Sequence, residues 1–379
     1  MAKAFERQEE FVRATTDSFV SSGPRVSATS NFMSPEAAEM LEAETQRILQ
    51  LPKLKENIPR AIEAYEQARE NKTVIEAETP IGTVIAQTIE LNIAPHEGQK
   101  TFILLGGAIS SAEGISTLGM GLAALGHRVL ILPHVLTKQM DYGDPDFFNT
   151  FYNYEAQIGT FAADGAVMER LIAEYVRREG IEGDIHLCGF SAGAPIMMQT
   201  ANAAQRSELN GRFAAIHMIS PASFYSPEQT TKRRRVMNTG RVIVGFGFRE
   251  GIPTVRDENE RLLQLEATGE NERRFVPDVL RLAYRCTSST VFDISDEVDI
   301  PIFVGIAPSD KVFGYDALTA NVLRLAEERQ AKGLAPIVPF SAYGREKSHA
   351  YMQQGFLGQA ITMSQMAEIQ IHISEEQIA

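Results

Sequence analysis

Residues 185–199 read IHLCGFSAGAPIMMQ, in which an apolar strand pattern runs directly into a glycine–x–serine–x–glycine motif and then into a helical pattern. Gly189 and Gly193 flank Ser191 in this motif. In a tight turn between a strand and a helix, flanking glycines give room for the strained backbone and for close packing of the helix on the sheet. The N-terminus of the following helix favours a negative charge that develops nearby. We therefore predict that Ser191 lies on a strand-to-helix turn as a nucleophile, the alternative being a glycine-rich turn with an inert serine.

Strand and helix patterns alternate on both sides of this motif. Helical patterns cover 112–125, part of 153–178, 194–205, 315–331 and a segment near 350–367. The further strands are apolar runs, namely TFILLGG (101–107), HRVLILP (127–133), FAAIHMIS (213–220), IPIFVGI (300–306) and PIVPFS (336–341). Such alternation predicts a doubly wound α/β fold, a mostly parallel sheet with helices on both faces. Continuous apolar runs are typical of strands that are covered on both sides. A β-hairpin, 73–79 and 82–92, precedes the alternation.

Two segments fall outside this rhythm. An N-terminal helical arm, with helices at 35–50 and about 55–70, is open to three placements: packing on the core, extending a lid, or forming a homodimer contact. A cap insertion interrupts the core, and its apolar residues either line an acyl pocket or form the cap's own core; they are Met237, Val242, Val244, Phe246 and Phe248. The predicted division is arm 1–72, core 73–222 and 300–379, and cap 223–299.

Composition narrows the class of protein. The chain has 379 residues, 44% hydrophobic and 22% charged, with a net charge of −13. A net negative charge disfavours nucleic acid as a partner. Two cysteines, Cys188 and Cys286, do not make a disulfide framework. Neither a secretory leader nor an apolar membrane span is visible in the sequence, so we expect a soluble, cytoplasmic protein.

A serine nucleophile needs a base, and histidine is the usual one. His349 follows the last predicted strand, in the loop REKSHAY, at the carboxyl edge where α/β proteins form ligand sites. His134 ends another strand at that edge and is either the rival base or a pocket residue. His186 and His217 lie inside strands and are predicted to be core residues. We predict His349 as the base.

The base in turn needs an orienting acid. Asp310 stands a few residues beyond the strand IPIFVGI, again at the carboxyl edge. Its surroundings, Pro-Ser-Asp, are also an ordinary turn sequence. Asp316 and Glu228 are the fallback acids. We predict Asp310 in this role.

The tetrahedral intermediate of acyl transfer needs backbone N–H donors for its oxyanion. One predicted donor is the N–H of Ala192, directly after the nucleophile. The other should come from the loop after the first core strand, Leu105-Gly106-Gly107-Ala108, where we predict Ala108. The alternative is that these glycines merely close a tight turn.

With these residues in place, the chain resembles the α/β-hydrolase superfamily over about residues 73–222 and 300–367. The motifs that carry the resemblance are LLGGA, GFSAGA and the order Ser191, Asp310, His349. The oxyanion loop lacks the HGGG run of one esterase branch, and a serine replaces the aspartate of dehalogenase-like members. The run SDKVF is also similar to homoserine acetyltransferases, but their elbow motif is absent. No subfamily is assigned.

The resemblance implies a serine hydrolase that cleaves a small-molecule acyl substrate, a carboxylic ester or thioester. An acyltransferase with the same triad is the alternative, and a catalytically inactive binding scaffold is a third hypothesis. No cofactor is predicted. Gly119 and Gly121 lie within a helical pattern rather than in a nucleotide-binding turn, and no cluster has metal-ligand spacing.

Overall fold

A single sheet organises the part of the chain that the computed structural model describes, which comprises residues 47–48, 51–95, 99–107, 112–144, 160–244, 276–307, 310, 312–341 and 364. Nine strands of these ranges join the sheet in the order β1-β2-β4-β3-β6-β7-β8-β9, with β5 paired to β2. The strands are β1 Thr73–Thr79, β2 Gly82–Leu91, β3 Thr101–Leu105, β4 Arg128–Leu132, β5 Met140–Tyr142, β6 Ile185–Phe190, β7 Phe213–Ile219, β8 Ile302–Ile306 and β9 Ile337–Ser341.

The sheet is mixed but mostly parallel. Strands β4, β3, β6, β7, β8 and β9 pair in parallel, whereas β2 pairs antiparallel with β1, β4 and β5. Parallel neighbouring strands align their carboxyl ends at one edge of the sheet. The strands that precede the predicted site residues all end at this edge. The predicted α/β fold class is confirmed.

The hairpin at the start of the sheet closes as its sequence predicts. Thr79 pairs with Gly82 across the turn. The hydroxyl of Thr79 donates to the Gly82 carbonyl at 2.7 Å and accepts the N–H of Ile81 at 3.2 Å. Gly82 has a φ of +94°, which favours glycine at this position.

Helices cover both faces of the sheet. Those described are α1 Pro52–Glu70, α2 Ser116–Ala124, α3 Ala162–Glu179, α4 Gly193–Ala204, α5 Lys232–Val244, α6 Val276–Arg285, α7 Thr290–Ile294 and α8 Tyr315–Ala331. Two 3₁₀ turns, Ala112–Ile115 and Pro227–Gln229, accompany them. None of these helices combines the length and apolar character that a bilayer crossing requires.

The two faces carry two apolar clusters. Ile103 and Leu105 of β3 belong to one cluster with residues of α3, α4 and α8. The intervening Phe102 and Leu104 belong to the other, with residues of α1 and α2. This alternation follows from the two-residue side-chain period of a strand, and burial on both sides explains the continuous apolar runs.

Two predicted helices lie almost wholly outside the described residues, and one strand was not predicted. The helix predicted at 35–50 lies outside the described residues except for 47–48, which are helical. Of the final helix predicted near 350–367, only Ser364 is described, and it is helical. The strand β5 had no counterpart among the predictions, and it extends the antiparallel side of the sheet by pairing with Val84–Ala86.

Candidate active site

The serine of the motif lies on the turn between β6 and α4, as predicted. Ser191 has a φ of +52°, a left-handed conformation that a non-glycine residue adopts only where the surroundings impose it. Its N–H donates to the carbonyl of Ile219 at 2.9 Å, and its carbonyl accepts the N–H groups of Ala194 and Ala222. These bonds to β7 and the loop behind it fix the strained residue. The exposed fraction of Ser191 is 2%.

Glycine allows the loop after β3 to lie directly against this turn. A Cβ on Gly193 would meet the carbonyl oxygens of Gly106 and Leu105 at 2.5 and 2.6 Å. A Cβ on Gly107 would lie 3.3 Å from the Cβ of Ser191. The loop that begins at Gly106 therefore reaches the nucleophile position, where an oxyanion donor is needed.

The two predicted oxyanion donors differ in what the structure describes. Ala192 is the N-cap residue of α4, so its N–H belongs to the first turn of a helix, where N–H groups lack intrahelical acceptors. Ala108 lies outside the described residues, as does the predicted base His349.

The predicted acid lies at the same edge of the sheet. Asp310 follows β8, two strands from β6, and is 4% exposed. Its Oδ1 accepts the N–H groups of Val312 at 2.8 Å and Phe313 at 2.9 Å. Its own N–H donates to the Ala307 carbonyl at 3.0 Å. These bonds hold the carboxylate in one orientation within a tight turn.

Both fallback acids are surface residues. Asp316 is exposed in the first turn of α8. Glu228 is exposed and pairs with Arg324 at 2.9 Å, and hydrogen bonds from Arg324 lower the pKa of Glu228 to about 2. Neither carboxylate is placed to orient a buried imidazole, which leaves Asp310 as the acid candidate among these three.

The rival base, His134, lies two residues beyond β4 and is fully buried. Burial lowers its pKa to about 3, and the charge of Arg285 acts in the same direction. A general base works best with a pKa near the operating pH, so His134 is poorly suited to that role.

A buried histidine pair occupies the sheet interior instead of the site. His186 and His217, on neighbouring strands, approach to 3.3 Å between Nδ1 of His186 and Nε2 of His217, and stack on Phe102 and Phe303 respectively. Burial lowers the pKa of His217 to about 3 and that of His186 well below its usual value. The sequence interpretation of both as core residues agrees with this arrangement.

A buried ion pair near the site escaped the sequence analysis. Arg285, the last residue of α6, donates from Nη2 to the carboxylate of Asp164 in α3. Its Nε donates to the Thr160 carbonyl at 2.6 Å, and its guanidinium lies 4.2 Å from the centre of the Phe161 ring. Both charged side chains are fully or almost fully buried. Amphipathic helices normally turn such residues toward water, so the sequence carried no signal for this pair.

The described part of the predicted cap contacts the acid loop. Val242 of α5 packs with Ala283 of α6 and with Val312, two residues after Asp310. Met237 is 53% exposed and therefore does not belong to a buried cap core. The side chain of Val244 and all of Phe246 and Phe248 lie outside the described residues.

Two other features of the sequence have structural explanations. Gly119 lies within α2, where a Cβ would meet Ile131 Cδ1 at 2.8 Å, so this glycine permits close packing of helix on sheet. Cys188 in β6 and Cys286 after α6 are buried and unpaired by disulfide, and burial raises the pKa of both thiols, to about 12 for Cys286. In the described ranges no group of three or more histidine, cysteine or acidic residues is placed to hold a metal ion.

No protein-family model and no curated protein matches the chain in sequence. Solved structures do match in fold. An esterase from Exiguobacterium antarcticum superposes with a TM-score of 0.54 at 12% identity, covering 78% of this chain and 100% of the esterase. A bromoperoxidase from Bacillus anthracis superposes with a TM-score of 0.51 at 12% identity, covering 78% of this chain and 98% of its own. Together with the strand order and the turn at Ser191, these likenesses show that the chain has the α/β-hydrolase fold.

Proposed function

We propose that the protein is a serine hydrolase that cleaves a carboxylic ester or thioester through an acyl-enzyme at Ser191. The observation that carries this proposal is the left-handed Ser191 between β6 and α4, held by β7 and covered by the glycine loop after β3. Such a turn presents a hydroxyl at the sheet edge beside backbone donors. Residues held in this strained conformation cluster at active sites, which supports a functional role for Ser191.

In the proposed reaction, the hydroxyl oxygen of Ser191 attacks the acyl carbon while His349 accepts the hydroxyl proton. The N–H groups of Ala192 and Ala108 stabilise the oxyanion. The bond to the leaving alcohol or thiol then breaks, and His349 returns the proton to that group. Water attacks the acyl-enzyme by the same route, which releases the acid and restores Ser191.

Asp310 is proposed to orient His349 and to stabilise its charged form. Adjacent strands lie about 4.8 Å apart, so β6 and β8 are separated by about 10 Å, a gap that an imidazole between the two side chains can bridge. The two N–H bonds to Oδ1 of Asp310 support a fixed carboxylate.

The segment 223–299 is proposed to act as a cap over this edge. The packing of Val242 and Ala283 against Val312 supports this role, since it joins α5 and α6 to the loop of Asp310. A cap would exclude water from the site and select the substrate. The α/β-hydrolase fold alone does not choose the chemistry, because an esterase and a bromoperoxidase share it.

The decisive experiment uses a fluorophosphonate probe, which reacts with activated serines. Wild-type protein should be labelled at Ser191, and Ser191→Ala should lose both labelling and ester hydrolysis, by about 10⁴-fold or more in rate. The rate of ester hydrolysis is measured with p-nitrophenyl esters whose acyl chains increase in length. Product analysis with and without an added alcohol separates hydrolysis from acyl transfer.

The matched control is Ser220→Ala. Ser220 is also buried and left-handed, with a φ of +42°, and it directly follows β7 beside the turn of Ser191. The Ser220→Ala variant should still be labelled at Ser191. Equal labelling of wild type and Ser191→Ala would remove Ser191 as the nucleophile.

A further inference from the structure

The imidazole of His134 has a defined tautomer. Its Nδ1 accepts the backbone N–H of Leu136 at 3.3 Å, so in the neutral ring the proton resides on Nε2. The His134 carbonyl accepts both the N–H and the hydroxyl of Thr137, which fixes the turn that carries the ring. The ring therefore presents an Nε2–H donor in a fixed direction.

This donor is buried without a partner in the described structure. A buried donor without a partner destabilises the folded state, and native proteins leave few such groups without a reason. The ring also stays neutral at physiological pH, since its pKa is lowered to about 3. His134 thus offers a hydrogen bond without a charge at neutral pH.

The position of His134 in the sheet differs from that of the other two buried histidines. The ring follows β4, and the strand order β4-β3-β6 places it about 10 Å from the turn of Ser191, at the same carboxyl edge. His186 and His217 also carry unpartnered buried ring nitrogens, but both lie within their strands. An N–H donor at this edge pairs with an acceptor oxygen.

We propose that His134 is a specificity-determining residue whose Nε2–H donates a hydrogen bond to an acceptor oxygen of the substrate, a few bonds from the ester that is cleaved. The inference rests on the proposed ester hydrolysis at Ser191. The acceptor is a hydroxyl, ether or carbonyl oxygen, carried by either the acyl chain or the alcohol. A site built to hydrogen-bond such an oxygen discriminates strongly against substrates that lack it, because its own donor is then left unpaired.

The experiment compares matched esters that differ by one oxygen. For the acyl side, p-nitrophenyl 3-hydroxybutanoate is compared with p-nitrophenyl butanoate; for the alcohol side, 2-methoxyethyl butanoate is compared with butyl butanoate. The preference is the ratio of kcat/KM within each pair. Wild type should prefer the oxygenated ester of one pair, and His134→Leu should reduce that preference by about 10-fold or more.

Two further variants separate hydrogen bonding from folding. His134→Gln can place an amide N–H near the position of Nε2 and should keep most of the preference. His134→Phe fills the volume of the imidazole ring without a hydrogen-bond donor and should reduce the preference as His134→Leu does. It serves as the donor-free variant if His134→Leu fails to fold. Circular dichroism melts check the fold of each variant.

The pair that responds identifies whether the oxygen belongs to the acyl chain or to the alcohol. If wild type hydrolyses the plain esters but the preference is absent, or is equal in wild type and the donor-free variants, the inference is overturned and the proposed function stands. If wild type hydrolyses no ester and Ser191 is not labelled by the fluorophosphonate probe, both fail.

Discussion

At Gly193 a single hydrogen atom in place of a side chain lets two chain segments meet. The carbonyl oxygens of Leu105 and Gly106 occupy the space that a Cβ would need. Both obstacles are backbone atoms of the loop after β3, so neither can move aside without moving the loop. The geometry of the proposed oxyanion hole thus depends on one glycine of the motif.

Gly193→Ala should push this loop away from Ser191 and destabilise the protein by about 1–3 kcal/mol, as overpacking does elsewhere. Fluorophosphonate labelling should slow more than stability alone explains, because an oxyanion donor shifts. Urea denaturation and labelling rates measure the two effects. Gly240→Ala, on α5 where a Cβ meets nothing within 4 Å, should leave the labelling rate unchanged and raise stability by up to about 1 kcal/mol, because alanine favours a helix interior over glycine. Unchanged labelling of Gly193→Ala would contradict the close contact.

At the scale of elements, a buried glutamine connects the turn after the glycine loop to the segment between β4 and β5. Oε1 of Gln139 accepts the N–H of Ala112 at 2.8 Å, and its Nε2 donates to both carboxylate oxygens of Glu113. Glu113 also pairs with Lys72 at 2.7 Å. The 3₁₀ turn Ala112–Ile115, which follows the proposed oxyanion loop, is therefore held by side chains from two other segments of the chain.

Gln139→Leu should destabilise the protein by about 1–3 kcal/mol. The variant leaves the buried N–H of Ala112 without an acceptor and removes the two hydrogen bonds that the Glu113 carboxylate accepts from Gln139. Folded molecules should also react more slowly with the fluorophosphonate probe. Gln99→Leu is the matched control. Gln99 also bonds a backbone group, the Gly126 carbonyl at 2.8 Å, but it precedes β3 at the amino edge. The Gln99→Leu variant should lose stability but react with the probe at the wild-type rate. An equal slowing of labelling in both variants would argue against a specific role for Gln139.

At the scale of the whole molecule, buried neutral histidines make stability depend on pH. The pKa of His217 and of His134 is lowered to about 3, against about 6.5 in an unfolded chain. Between these values the unfolded state binds more protons, so stability rises with pH. The stability is complete above about pH 6.5 and is lost progressively as the pH falls toward 3.

His217→Phe should flatten this dependence. Between pH 7.5 and pH 5, the unfolding free energy of wild type should fall by about 2 kcal/mol more than that of the variant, because one histidine no longer gains a proton on unfolding. Urea denaturation at the two pH values measures both changes, and carboxylate titrations cancel in the comparison. Parallel pH dependences in the two proteins would show that His217 is not a neutral buried group.

Sequence reasoning succeeded where the structural requirement is local. The turn of Ser191 is predicted by the five consecutive residues 189–193. Strands that are covered on both faces, such as β3, are predicted by unbroken apolar runs. It missed β5, since three residues with Asp141 at the centre show no strand pattern, and only their pairing with β2 reveals it. It could not foresee the Arg285–Asp164 pair, because the partners stand 121 positions apart on separate amphipathic helices.

The two buried thiols can report on local unfolding of the native protein. Both thiols are buried, so alkylating reagents reach them only when the surrounding structure opens. Cys188 lies at the centre of the sheet, one residue before the motif, and Cys286 lies at the end of α6. Their alkylation rates therefore distinguish local breathing of the cap helix from rupture of the sheet, without any engineered label.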